Sequence, residues 1–260
     1  MAETKTAIAN KPVWVDLGTD DPAGARTFYS KLFGWKIEVN PDPQYGGYAM
    51  GEIDGKQAAG IGGKMSPQQP TAWSLYIGAE SADDTAKKVE QAGGKVVAPP
   101  FDVGPQGRMA SFADPIGAVI SIWQPNQFSN VFPQGQPGFF GWGELQGAGV
   151  DKALPFYQKV FGWSTKQTPM GEGQPPYNEF QLDGQNILGG MDTGAMGSKM
   201  PAYWLVYFSV DDVDKSFKTA TAAGGKEMMA PSDFPGGRFA ILSDPQGAVF
   251  GLLKTNPRQQ

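Results

Sequence analysis

Two carboxylates occupy matching places in the chain. Asp16 follows Trp14 by two residues, and Glu144 follows Trp142 by the same step, 128 residues later. Residues i and i+2 of a strand share a face, so strands here would set each carboxylate beside an indole. A carboxylate on an aromatic surface attracts an ammonium group by charge and cation–π contact. Apolar surroundings also raise its pKa, as a general acid or base requires. The chain contains no Cys and no His. Disulfides, thiolate nucleophiles, Cys-ligated zinc and iron–sulfur clusters are therefore excluded. So are Ser-His-Asp triads, two-His-one-carboxylate iron sites and imidazole catalysis. Any chemistry falls to Asp, Glu, Tyr, Lys, Arg, Ser or the backbone.

The elements that position these residues come from a repeat. Phe28-Tyr29-Ser30-Lys31-Leu32-Phe33-Gly34-Trp35 returns as Phe156-Tyr157-Gln158-Lys159-Val160-Phe161-Gly162-Trp163. Ala92-Gly93-Gly94-Lys95 returns as Ala223-Gly224-Gly225-Lys226, Arg108 as Arg238, and Asp114-Pro115-Ile116-Gly117-Ala118 as Asp244-Pro245-Gln246-Gly247-Ala248. These matches divide the chain into a first module at 1–124, a Pro/Gln/Asn/Gly linker at 125–137 around Phe128 and Phe132, and a second module at 138–260. Breaks at 64–71 and 192–201 split each module again, into motifs at 12–63, 72–124, 138–191 and 202–254.

Each motif reads as strand, helix, then three strands. In the first, Val13–Leu17 is a strand and Pro22–Leu32 a helix that Gly34 stops, with strands over Tyr48–Ile53 and Gln57–Ile61. In the second, Trp73–Ile77 is a strand and Ala82–Ala92 a helix ended by Gly93-Gly94. Arg108–Phe112 and Ala118–Trp123 then flank the Asp-Pro turn. The fold class is α+β, with four βαβββ motifs forming two cupped, barrel-like mixed sheets and the helices outside. The Phe-Tyr and Phe-Gly-Trp residues are core. The Asp-Pro pairs are turn chemistry, and Arg108 and Arg238 close turns in preference to holding an anionic ligand.

This order of motifs resembles the glyoxalase/bleomycin-resistance/extradiol-dioxygenase superfamily, the vicinal oxygen chelate proteins, from about Pro12 to Lys254. Trp14-Val15-Asp16-Leu17, Gly237-Arg238-Phe239-Ala240 and Ser243-Asp244-Pro245-Gln246-Gly247-Ala248 point to its tandem, four-motif actinobacterial group. The resemblance implies modules with a concave ligand cavity. Many members are metalloenzymes, while others bind a drug without metal. The family's metal ligands are usually a first-strand His and a last-strand Glu. Those positions fall here on Trp14, Ser74, Ser121, Trp142, Leu205 and Gly251, none of which is a usual ligand, so the expected metal site is none and no cofactor is expected.

Strand alternation then gives the candidate ligand-binding residues: Trp14, Asp16, Tyr48, Glu52, Tyr76, Ser121 and Trp123 for the first cup, and Trp142, Glu144, Tyr177, Glu179 (with Gln181) and Tyr207 for the second. Asp16 and Glu144 are the candidate bases. Met191, Met196 and Met200 lie near a Gly-rich stretch that reads as a plain flexible loop in preference to a mobile lid. The leading reading is a metal-free protein that binds a cationic or aromatic small molecule. The alternatives are a lyase, isomerase or hydroxylase-like enzyme using a cavity carboxylate, with or without an atypical oxygen-ligated metal, or a surface or secreted interaction protein. With a net charge of −5 and scattered Lys and Arg, no nucleic-acid partner is expected. No apolar run approaches the roughly 18 residues of a membrane span. The polar start lacks a signal-peptide core, so the expected location is cytoplasmic, export without a signal peptide also being compatible. Two modules in one chain suit a monomer or a homodimer.

Overall fold

The computed structural model describes residues 8–128 and 133–256. Phe132 of the expected linker lies outside them. The first repeat runs β1 (Pro12–Thr19), α1 (Pro22–Phe33), β2 (Lys36–Val39), β3 (Ala49–Ile53), β4 (Lys56–Gly63), β5 (Ala72–Gly78), α2 (Ala82–Gln91), β6 (Lys95–Val103), β7 (Gly107–Ala113) and β8 (Val119–Pro125). The second repeats it as β9 (Phe140–Gly147), α3 (Val150–Phe161), β10 (Ser164–Thr168), β11 (Tyr177–Leu182), β12 (Gln185–Asp192), β13 (Tyr203–Ser209), α4 (Val213–Ala222), β14 (Lys226–Phe234), β15 (Gly237–Ser243) and β16 (Val249–Thr255). The βαβββ reading holds four times. The strands form two eight-stranded mixed sheets, ordered β2-β3-β4-β1-β5-β8-β7-β6 and β10-β11-β12-β9-β13-β16-β15-β14. Each order is linear, so the two mixed sheets are open and curved, in keeping with the cupped, barrel-like α+β reading of the sequence.

Local chemistry sets the helix ends. The Asp21 side chain accepts from the Gly24 amide at 2.9 Å, and Pro22 fills the first turn, where no N–H is needed. Gly34 ends α1 at a φ of 73°, a left-handed conformation that favours glycine.

Packing divides the chain into two compact units. The first gathers the described residues of Met1–Trp14, Leu75–Val131 and Gly143–Trp204, and so combines most of the second and third motifs. The other gathers those of Val15–Ser74, Phe132–Trp142 and Leu205–Gln260, combining the first motif with the fourth. Sequence periodicity left this pairing open.

An aromatic core builds each unit. In the first, Trp163 is fully buried, stacked on Tyr157 at 5.4 Å and Phe161 at 4.8 Å and tilted against Phe180. In the second, Tyr29, Trp35 and Trp73 cluster with Phe208 and Phe250, with Phe33 half-buried at the margin. Apart from Phe33, the expected core aromatics are buried in these clusters.

Each core contains the same polar chain. In the first unit, the Trp204 indole donates to the Tyr157 hydroxyl at 2.8 Å, which donates to Asp114 Oδ2 at 2.8 Å. In the second, Trp73 donates to Tyr29 at 2.9 Å, and Tyr29 to Asp244 Oδ2 at 3.0 Å. The other carboxylate oxygen of each Asp accepts the turn amides at 116 and 118, or at 246 and 248. The Asp-Pro pairs are turn chemistry, as expected, and they also anchor the tyrosine of a partner motif.

Burial pushes the carboxyl groups of Asp114 and Asp244 up, against the pull of these hydrogen bonds. The folded protein therefore holds their protons more tightly than the unfolded chain does. Their contribution to stability is fully present below the ordinary carboxylate range and is lost as pH rises through the raised values. At Asp83 and Asp214, hydrogen bonds from Arg108 and Arg238 pull the other way, and that contribution fades only at lower pH. The melting temperature is expected to rise as pH falls from neutral into mild acid. Asp114→Asn with Asp244→Asn should flatten that rise in scans across the window, and an unchanged slope would refute the assignment.

Candidate functional site

The carboxylates lie on strand faces turned away from the helices. In the second unit, a side chain at Gly51 would meet the Trp35 ring at 2.7 Å, which marks that side of β3 as the core side. The adjacent row is Met50, Gly60 and Asp16, aligned across β3, β4 and β1. Tyr48 lies along this face. Its hydroxyl donates to Asp16 Oδ2 at 3.2 Å. The ring runs so close over Gly60 and Gly62 that a Cβ on Gly60 would overlap the hydroxyl, and one on Gly62 would stand 2.9 Å from Cδ2. The two glycines thus make the floor on which the tyrosine reaches the carboxylate. Both Asp16 and Tyr48 are half-buried. Glu52 is not brought to this row. A register shift after Gly51 sets it opposite Gln57 and Lys36, near the hairpin end.

The matching face in the first unit is arranged differently. Glu144, Gly189, Glu179 and Lys166 form one row across β9, β12, β11 and β10. Lys166 Nζ lies 3.2 Å from Glu179 Oε2. Glu144 is buried and accepts from Gln146 Nε2 at 2.8 Å, while Gln146 Oε1 accepts from the Tyr203 hydroxyl at 2.8 Å. Burial first, and the Glu144 charge second, push the Tyr203 phenol up to about 12, so it stays a hydrogen-bond donor at physiological pH. Tyr177 stands at the start of β11 opposite Thr168 and is half-buried, and Gln181 donates to Asn186 at 2.7 Å. Trp142 is half-buried on β9.

The remaining candidates form separate groups. Tyr76 aligns with Ser121, whose hydroxyl lies 2.8 Å from that of Ser111. Trp14 and Trp123 both pack edge-on to Phe128, at 5.4 and 5.9 Å, and the Trp123 indole donates to the Phe128 carbonyl at 2.9 Å. Tyr207 covers Gly251, where a side chain would overlap its ring, and meets Phe239 edge-on at 6.3 Å. Arg108 and Arg238 are pins rather than ligand holders. Arg108 binds Asp83 through Nε and Nη2 and Asp102 through Nη1, and Arg238 binds Asp214 and Asp233 in the same way.

Four contributors escaped the sequence reading. Gln146 and Tyr203 were visible as alternation partners of Glu144 and Tyr207. Gly60 and Gly62 carried no sequence signal, because the tyrosine that needs them comes from another strand.

The profile of the glyoxalase/bleomycin resistance protein/dioxygenase superfamily matches residues 11–122 and 140–252. The chain belongs to this superfamily. Its relatives include "Putative glyoxylase CFP32" of Mycobacterium tuberculosis, 39% identical over 254 residues, covering 95% of this chain and 96% of that one. Another is the anthracycline biosynthesis protein DnrV of Streptomyces peucetius, 35% identical over 257 residues, covering 94% and 92%. The superfamily fold is also shared with the Mn(II)-bound glyoxalase of Novosphingobium aromaticivorans (TM-score 0.64, 17% identity, 94% and 81% coverage). The 2,3-dioxygenase LapB of Pseudomonas sp. KL28 gives the same TM-score at 10% identity, covering 96% and 94%.

A metal of the kind named for that glyoxalase does not fit the residues present here. Ser121 is bonded to Ser111, Gly251 lies under the Tyr207 ring, and Trp14, Trp142 and Leu205 offer no anionic donor. Among the described residues no group of three or more Asp and Glu side chains could hold a metal ion. Nor, among them, is any helix long and apolar enough to cross a membrane.

Proposed function

We propose that this superfamily member binds a planar aromatic small molecule bearing a cationic group, without using a metal. The observation that carries the reading is Tyr48 lying over Gly60 and Gly62 with its hydroxyl on Asp16. A ring fixed flat on a strand is a stacking platform, and a carboxylate at its tip attracts an ammonium group. The misfit of the metal-ligand positions supports a metal-free role. The kinship with DnrV, named for anthracycline biosynthesis, supports a polycyclic aromatic ligand. The protein would act in the cytoplasm, as a monomer or homodimer with this small molecule as its partner.

The test uses two measurements. Native mass spectrometry of protein purified from its own host should show either the bare chain or an organic adduct. Titration with doxorubicin, a planar probe carrying an ammonium, should show saturable binding. Tyr48→Phe and Asp16→Asn should each weaken that binding about tenfold, about 1.4 kcal/mol, with melting temperature unchanged. A stoichiometric metal, or no probe binding, would overturn the reading.

A further inference from the structure

The two repeats carry a carboxylate, Asp16 or Glu144, and a tyrosine, Tyr48 or Tyr177, at matching places, yet the positions beside the carboxylate have diverged. On β9 the residue two places after Glu144 is Gln146, and on β1 the residue two places after Asp16 is Gly18. The first residue of β13 is Tyr203, and the first residue of β5 is Ala72. The second repeat thus has two large polar side chains where the first has a hydrogen and a methyl group. Those side chains act on the carboxylate: Tyr203 donates to Gln146, and Gln146 donates to Glu144, both at 2.8 Å.

We infer that only the first repeat takes the ligand, and that Gln146 and Tyr203 close the second from within by standing where a ligand's polar group would stand. The inference rests on the proposed binding role and decides which copy of the site performs it. Each carboxylate is met by its own chain, Asp16 by Tyr48 and Glu144 by Gln146. Gln146, however, is itself held by Tyr203, so a ligand competing for Glu144 must displace a side chain fixed at both ends at no loss of translational freedom. It must also leave the buried Gln146 amide without its acceptor.

In the first repeat the atoms nearest the comparable place belong to a loop side chain. Gln69 Nε2 lies 2.9 Å from where a Gly18 Cβ would stand, while its Oε1 accepts from the Met65 amide at 2.7 Å. A loop side chain held at one end can swing aside for a ligand, whereas Gln146 belongs to the middle of a sheet. The floor differs too. Gly62 of the first repeat corresponds to Met191 of the second, so the flat seat of Tyr48 has no equal under Tyr177.

The test moves the residues between repeats and uses doxorubicin as probe. Wild-type protein should bind one equivalent by calorimetry and native mass spectrometry. Gly18→Gln with Ala72→Tyr should lower affinity more than tenfold while the protein still melts cooperatively. Gly18 is not in the left-handed backbone region, and the nearest obstacle is the flexible end of Gln69. If that pair fails to fold, the stoichiometry of the wild type decides the inference. Gln146→Gly with Tyr203→Ala should raise the stoichiometry from one to two. Two equivalents in the wild type, or full affinity in a folded Gly18→Gln with Ala72→Tyr variant, would overturn the inference and leave the binding role standing. No binding by the wild type would overturn the binding role and the inference with it.

Discussion

Asp244→Ala is expected to lower the free energy of unfolding by about 3 kcal/mol or more. The carboxylate is 1% exposed and serves three donors: the Tyr29 hydroxyl and the amides of Gln246 and Ala248. Each buried donor left without a partner costs about 1–3 kcal/mol. Tyr29 is fully buried among Trp73, Trp35 and Phe250, so it has no route to water that spares the core. Asp114→Ala should behave alike, because Tyr157 and the amides at 116 and 118 depend on it in the same way. Two further variants separate the contributions. Asp244→Asn retains an oxygen for the turn amides and should lose less than half as much. Tyr29→Phe spares the turn but strands the Trp73 indole N–H and one carboxylate oxygen. Urea unfolding followed by tryptophan fluorescence reads all of these. An Asp244→Ala midpoint within about 0.5 kcal/mol of wild type, the range of an unremarkable surface change, would refute the anchoring role.

Gly60→Ala is expected to weaken doxorubicin binding by more than tenfold with little effect on the unfolding midpoint. The added methyl group would occupy the place of the Tyr48 hydroxyl, so the ring must lift from β4 and abandon Asp16. The core side of the sheet is untouched, since Ala59 and Ile61 on the neighbouring positions face the other way. Gly63→Ala is the control. It lies on the same strand, outside the left-handed region, with nothing within 4 Å of its would-be side chain, and should bind as wild type does. Gly189→Ala, the matching change in the second repeat, should also leave affinity unchanged if that repeat is closed by its own side chains. Equal affinity for Gly60→Ala and wild type would remove the Tyr48 platform from the binding face.

Much of this protein was legible in its residues. The duplicated Phe-Tyr, Phe-Gly-Trp, Ala-Gly-Gly and Asp-Pro signatures gave the four βαβββ motifs, because helix stops, turn chemistry and strand alternation act over only a few residues. The same short range placed Asp16 and Glu144 on strand faces, whereas the expectation about the metal-ligand positions came from the family resemblance and not from any local pattern. Partnership between distant segments was not legible. Tyr29 meets Asp244 across 215 residues of sequence, while Tyr157 meets Asp114 across 43, and no local pattern distinguishes these pairings from the alternatives. Phe128 looked like linker until Trp14 and Trp123 were seen to pack on it. Gly60 looked like an ordinary strand glycine until the Tyr48 ring was found above it. The contrast between Gly18 with Ala72 and Gln146 with Tyr203 stood in the sequence throughout. Only the tertiary structure gave it meaning, because a hydrogen-bond relay exists only when separate strands bring its members within 3 Å.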